Sequence, residues 1–317
     1  MSTLQASRTS AGPPVGPPIA PSPRRLEQVA PVMDYWCGFG RQTPVPNALT
    51  IDLEDWPISV LGPHHAVTGR VVENTKRCLQ ILQWHNVKAT FFVLTRVARE
   101  YGGLIREVHA AGHEIASHGH GHELLTNISP ERFEQDVRTS VEILTDLVGE
   151  RPIGYRAPAF SIVESTRWAG PILADLGFKY SSSVFPIRHK RYGIATAPRH
   201  IHRWQDCPLI ECPPATLRCF GRNWPIAGGG YFRLLPGPLA RLAIRRLNRG
   251  AMPAIIYMHP YELDVGGIRF HRSQGIKVSA TRGVGQGLFR GRIEKRLHRL
   301  LESFHFSTMR DLLRYAV

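Results

Sequence analysis

Short apolar runs alternate with amphipathic helical stretches from residue 48 onward, and this alternation restricts the chain to a small set of folds. Residues 48–51, 89–94, 113–117, 153–156, 178–181, 209–212 and 254–258 read as buried strands. Between them, residues 71–85, 96–111, 164–175 and 236–248 carry apolar side chains at helical spacing. Ser129-Pro130 opens a further helix and Gly149 closes it, since Ser caps a helix start, Pro suits its first position and Gly suits its end. The strand runs are apolar throughout. That pattern predicts an α/β fold with a parallel sheet covered on both faces, or a closed barrel.

Domain organisation follows from composition. Residues 1–45 are rich in Pro, Ser and Gly, which predicts a disordered tail. Residues 46–265 form the expected barrel, and residues 266–317 the expected helical extension. Five cysteines without a C-x-x-C pair exclude a disulfide framework or zinc ribbon and predict a reducing compartment. There is no apolar h-region and no span of about 20 apolar residues, so a soluble, cytoplasmic protein with no integral membrane segment is expected. The formal net charge of +15 suits acidic partners. Its densest segments, 241–249 and 290–299, lack interleaved aromatics, so no nucleic acid is expected.

Reactive residues cluster after the strands. Asp52, Glu54 and Asp55 follow the first, His118 and His122 the third, Arg156 the fourth and His259 the last. In α/β barrels the strand carboxyl ends build the active site. His118 and His122 lie in Ser117-His118-Gly119-His120-Gly121-His122, where the glycines permit tight turns. Two imidazoles and one carboxylate suit a divalent transition metal and leave positions open for water and substrate. A second carboxylate then serves as general base. Asp52, Glu54 and Asp55 supply enough groups for both. His120 is expected to lie outside the ligand set. Arg156 is suited to pair with the base carboxylate, Pro158 to stiffen its loop, and His259 to act as general acid.

In this order the residues resemble the polysaccharide deacetylase family, also called the NodB homology or carbohydrate esterase 4 family. Thr50–Asp55 resembles its first motif, His118 to His122 its second, Arg156-Ala157-Pro158 its third, Tyr180–Ser183 its fourth and Tyr257-Met258-His259 its fifth. Asp-x-Glu-Asp-Trp at 52–56, Gly228 to Pro236 and His259-Pro260-Tyr261-Glu262 are similar to a bacterial branch associated with exopolysaccharide clusters and carrying its own C-terminal extension. The resemblance implies a distorted (β/α)7 barrel, zinc or another divalent transition metal, and an N-acetylated glycan substrate. It implies Asp55, His118 and His122 as metal ligands, with Glu54 as the alternative carboxylate. Asp52 is the implied base, steadied by Arg156, and His259 the implied acid. Gly229, Gly230 and Tyr231, with Pro158, are the expected substrate contacts. Ser181 stands where members often carry an Asp that orients the catalytic histidine, which leaves Glu262 or Asp264 as substitutes. Hydrolysis of a cyclic imide or ureide on the same barrel is the rival enzymatic reading, and a non-catalytic polyanion-binding relative the other. Trp224, Tyr231 and Phe232 favour a sugar, because aromatic faces pack on pyranose rings.

Overall fold

A computed structural model describes residues 45–226 and 228–314. The tail expected over residues 1–45, except its last residue, lies outside the described residues, as does Cys37.

The chain order is β1 (Asn47–Leu53), α1 (Arg70–Trp84), β2 (Thr90–Val93), α2 (Thr95–Glu100), α3 (Gly102–Ala110) and β3 (Glu114–Ser117). It continues with α4 (Pro130–Val148), β4 (Gly154–Tyr155), α5 (Ala169–Asp175), β5 (Tyr180–Ser181), β6 (His202–Arg203) and β7 (Ile210–Glu211). A hairpin of β8 (Thr216–Cys219) and β9 (Arg222–Pro225) precedes α6 (Gly229–Leu234), α7 (Gly237–Arg249) and β10 (Ile255–Met258). The last elements are α8 (Gly267–Ser273), α9 (Ala280–Gly287), α10 (Ile293–Ser303), β11 (Phe306–Ser307) and α11 (Met309–Leu312).

Seven strands run parallel in the order β10-β1-β2-β3-β4-β5-β7. The sheet curls into a distorted (β/α)7 half-barrel. No ladder joins β7 to β10 among the described residues. Instead the Ala215 amide donates to the Ile255 carbonyl at 3.0 Å and bridges that side. β1 is buried on both faces, as a central parallel strand should be. Its residues 49, 51 and 53 join the main apolar core under α1 and α10, while Thr50 and Asp52 point the other way, into a polar interior.

The helix limits have local causes. The Ser129 hydroxyl accepts from the Arg132 amide at 3.3 Å, and Gly149 ends α4 in the left-handed region at φ 73°. The helix expected over 96–111 is broken at Tyr101, whose φ of −131° and ψ of 50° are non-helical; Gly102-Gly103 follows at once. Of the helix expected over 164–175 only 169–175 is α-helical, because Gly170-Pro171 favours a fresh start. The C-terminal extension is not purely helical: β11 pairs with Asn47 and Ala48 of β1. That edge is open because β2 begins pairing only at Thr50. No described helix is long and apolar enough to cross a membrane.

His113 and His202 are buried in this scaffold in uncharged form. Burial, with Lys88 adding repulsion, pushes His113 down to about 4, and burial does the same to His202. His113 accepts the Ala89 amide at Nδ1 (3.1 Å), a bond that protonation there removes. In the unfolded chain both titrate near the usual value of about 6.5. The unfolded state therefore binds more protons between pH 6.5 and 4, and stability falls as pH drops through that window, by on the order of 1 kcal/mol for each group. Urea midpoints measured across that range check this; a His113→Asn chain should show a shallower pH slope than the wild type.

Candidate metal centre

Thr50, Asp52 and Glu54 alternate along and just beyond β1, so their side chains share the interior side. Asp55 has the opposite parity. Its Oδ1 accepts from the Trp56 amide at 2.9 Å and its Oδ2 from the Thr68 amide at 2.6 Å. Burial pushes it up to about 6 despite those bonds. The expectation of Asp55 as the metal carboxylate is therefore corrected. Glu54, the alternative, is the carboxylate that meets the two histidines.

One oxygen or nitrogen from each of Glu54, His118 and His122 lies within 4.8 Å of the others, and all three residues are buried. Glu54 Oε2 is 2.6 Å from His122 Nε2 and 3.6 Å from His118 Nε2. It still has no partner with hydrogen-bond geometry. Three buried donor atoms gathered this closely, one of them a carboxylate oxygen left unsatisfied, are placed where one cation could be shared among them. A carboxylate with two imidazoles is also a suitable donor set for zinc, so the residues fit the metal. Burial alone would raise the Glu54 carboxyl, but His122, His118 and His259 around it hold it well below the usual range. His118 Nδ1 is 2.8 Å from the Arg156 carbonyl, which fixes the ring and leaves Nε2 facing Glu54.

The rest of the site surrounds this cluster. Arg156 is fully buried. It donates from Nη1 to Asp52 Oδ1 at 2.7 Å and to Thr50 Oγ1 at 2.8 Å. It also donates from Nε to the Ser182 carbonyl at 3.0 Å and from Nη2 to the Ser182 hydroxyl at 2.8 Å. Its guanidinium lies 4.1 Å from the centre of the Phe92 ring. One Asp52 oxygen is thus fixed by Arg156 and the other, Oδ2, is 3.8 Å from His259 Nε2. His259 Nε2 also lies 3.2 Å from Glu54 Oε1. Its other nitrogen, Nδ1, is 2.8 Å from Glu262 Oε1. Burial opposes charge on His259, yet Glu262 and Glu54 bring it up to about 10. At 14 % side-chain exposure it is the most open member of the cluster.

Of the two acids that sequence leaves as substitutes for the residue at 181, Glu262 is the one beside His259. Asp264 is engaged by Arg70, at 2.9 and 2.8 Å. Ser181 donates to Ser183 at 2.8 Å.

Among the expected substrate contacts, Pro158 is buried in a tight turn whose next residue, Ala159, has φ 49°. Gly229 and Gly230 open the short helix α6. The closest approach of backbone in this stretch is one residue earlier: a Cβ on Gly228 would lie 2.2 Å from the Tyr257 carbonyl. Tyr231 is half-buried, with its hydroxyl 3.0 Å from that of Tyr192. His120 contacts Thr95 and Arg99 and stays outside the ligand cluster.

Sequence reasoning missed Asp136, on α4. Its two oxygens accept the His120 and Gly121 amides, each at 2.7 Å, and so clamp the loop that carries His118 and His122. Gly119 passes this carboxylate at φ +74°, and a Cβ there would lie 2.7 Å from Asp136 Oδ2. His122 itself sits at φ 57°, a conformation only a firmly held loop retains. An i-to-i+18 relation to His118 gives no sequence signal. Asp136→Asn removes one acceptor, and metal affinity should fall about 10- to 100-fold, the usual effect of losing a group that orients ligands. A competition titration with a chromophoric chelator reads this, alongside circular dichroism for folding.

Residues 49–181 match the polysaccharide deacetylase family model. The chain carries a polysaccharide deacetylase domain. Residues 182–314 match a domain of unknown function, DUF3473. The deacetylase domain supplies Asp52, Glu54, His118, His122 and Arg156, whereas His259 and Glu262 come from the second segment. The peptidoglycan-N-acetylglucosamine deacetylase of Bacillus cereus is 32 % identical over 125 residues, covering 37 % of this chain and 46 % of that one. The chitooligosaccharide deacetylase of Azorhizobium caulinodans is 33 % identical over 98 residues, covering 31 % and 43 %. The chain thus spans under half the length of these curated relatives. A Mycobacterium smegmatis structure, provisionally named a polysaccharide deacetylase, superposes with a TM-score of 0.59 at 20 % identity, covering 92 % of this chain and 94 % of that one, and shows the same fold.

Proposed function

We propose that the chain is a metal-dependent hydrolase that removes N-acetyl groups from an N-acetylated glycan of the exopolysaccharide type. The observation that carries this reading is the convergence of Glu54, His118 and His122 beside Asp52 and His259. Glu54, His118 and His122 would hold the cation. A divalent ion such as zinc supplies Lewis-acid activation of water and of the acetamido carbonyl.

Asp52 is the general base. Arg156 occupies its Oδ1 and fixes the carboxylate plane, leaving Oδ2 toward His259 as the proton acceptor for the attacking water. His259 is the general acid. Glu262 holds its Nδ1, so its Nε2 faces the reaction centre and delivers a proton to the departing amine. Acetate and a free amino sugar are the products. Ser59 donates to Glu54 Oε1 at 2.6 Å and lies 3.1 Å from the Tyr261 hydroxyl, which limits the freedom of that carboxylate.

Acetate release from chitooligosaccharides and from peptidoglycan fragments, with and without a chelator, tests the proposal. Release that stops with chelator and returns with zinc supports it. Chelator-insensitive release contradicts the metal's role, and turnover of small ureides but of no glycan contradicts the substrate class.

A further inference from the structure

The hairpin β8–β9 turns through Phe220 and Gly221, at φ 49° and 71°. Its residues help line a cavity of about 820 Å³, shared with the segment around Arg188 and with Tyr231 at the start of α6. The size is that of a small-molecule pocket. Arg188, Arg218 and Arg222 are among its lining residues, and the lining includes no Asp or Glu. None of the three has an ion-pair partner among the described residues. Arg218 donates to the neutral Asn223, at 3.3 Å, and Asn223 in turn ties the hairpin to the Pro186 carbonyl at 2.7 Å. Trp224 lines the same cavity and is 53 % exposed.

Unpaired arginines beside an exposed indole form a definite chemical surface. Guanidinium recognises carboxylate by paired hydrogen bonds, and an aromatic face accepts the apolar face of a pyranose. Three successive ring contacts link the cavity wall to the reaction centre. Tyr231, on its wall, packs edge-on to Phe185 at 6.3 Å, Phe185 packs on Tyr257 at 6.2 Å, and Tyr257 packs on His259 at 6.0 Å.

We propose that this cavity is a subsite for an anionic sugar, a uronate unit of the same glycan whose N-acetylated unit reaches the metal centre. The inference rests on the deacetylase reading for its biological setting, but the binding itself does not. A carboxylate-bearing unit is selected by Arg218 and Arg222 on the hairpin and Arg188 opposite, and its ring lies against Trp224. Polymers that alternate N-acetylhexosamine with uronate then bind in preference to neutral ones.

Calorimetric titration with trigalacturonate, which has no acetamido group, tests the subsite directly. Wild type should bind it, and the pair Arg218→Gln/Arg222→Gln should weaken binding by about ten-fold or more, the scale of losing two charge-assisted contacts. The pair Arg245→Gln/Arg246→Gln, on the exposed face of α7, should leave it unchanged. Equal weakening by both pairs, or trigalacturonate bound no more tightly than neutral maltotriose, overturns the proposal. In acetate release, the hairpin pair should raise KM for a mixed N-acetylhexosamine–uronate oligosaccharide, leave its kcat unchanged and spare chitotetraose. An equal rise for both substrates also overturns it. Wild type that binds trigalacturonate through the hairpin but releases no acetate from any glycan upholds the subsite and removes the deacetylase reading.

Discussion

Asp52→Asn should lower acetate release by about 10²- to 10⁴-fold while the protein still binds one equivalent of metal. The amide keeps the size of the carboxylate, and its oxygen still accepts the Arg156 Nη1 proton held 2.7 Å from Asp52 Oδ1 in the wild type. It cannot take a proton from water. Folding should survive in part, because Arg156 also donates to Thr50 and Ser182. Its buried charge then lacks a counter-ion, and breaking such a pair costs about 3–5 kcal/mol. Paired measurements of kcat, metal content and urea midpoint check the result. A variant that loses metal along with activity would move Asp52 into the ligand set and dismiss it as base.

Glu54→Ala and Asp55→Asn, two neighbouring substitutions, should have opposite consequences for the metal. Removing Glu54 takes away the carboxylate that lies 2.6 and 3.6 Å from the two histidines, so metal binding and acetate release should both fall to the level of His118→Ala. Asp55→Asn should keep the metal and lose stability, since Asp55 serves the Trp56 and Thr68 amides rather than the cluster. Elemental analysis after dialysis separates the two. Retention of metal by Glu54→Ala with loss in Asp55→Asn would restore Asp55 as the ligand and remove the present geometry.

The contrast between these two acids shows what the sequence carries and what it does not. The strand runs were legible because a parallel strand buried on both faces must be apolar: the run at 48–51 falls inside β1 and that at 89–94 contains β2. The placing of His118, Arg156 and His259 just beyond strand ends was legible for the same reason, whereas Asp52, expected to follow the first strand, lies inside β1. Strand parity, by which i and i+2 share a face, pairs Glu54 with Asp52 and points to Glu54; motif resemblance pointed instead to Asp55. Asp136 was hidden because α4 brings it back to the histidine loop from across a turn, a contact that local pattern does not encode. β6, β8, β9 and β11 escaped as well. They are two to four residues long and polar or half-exposed, so tertiary pairing rather than residue pattern forms them.

The split of the reaction centre between two family segments has a physical consequence. Glu262 lies three residues beyond His259 on the same turn, so the acid and the group that orients it move as one unit. That unit approaches Glu54 Oε1 of the metal cluster at 3.2 Å and Asp52 Oδ2 beside it at 3.8 Å. The interior face of β1 is therefore the junction on which both halves depend.

The most direct measurement is diffraction from zinc-loaded crystals at wavelengths on either side of the zinc absorption edge. The account predicts one anomalous peak about 2 Å from a Glu54 carboxylate oxygen, His118 Nε2 and His122 Nε2, with Asp52 close by but not bound. A peak ligated by Asp55, or zinc bound elsewhere with these three side chains unligated, would contradict it.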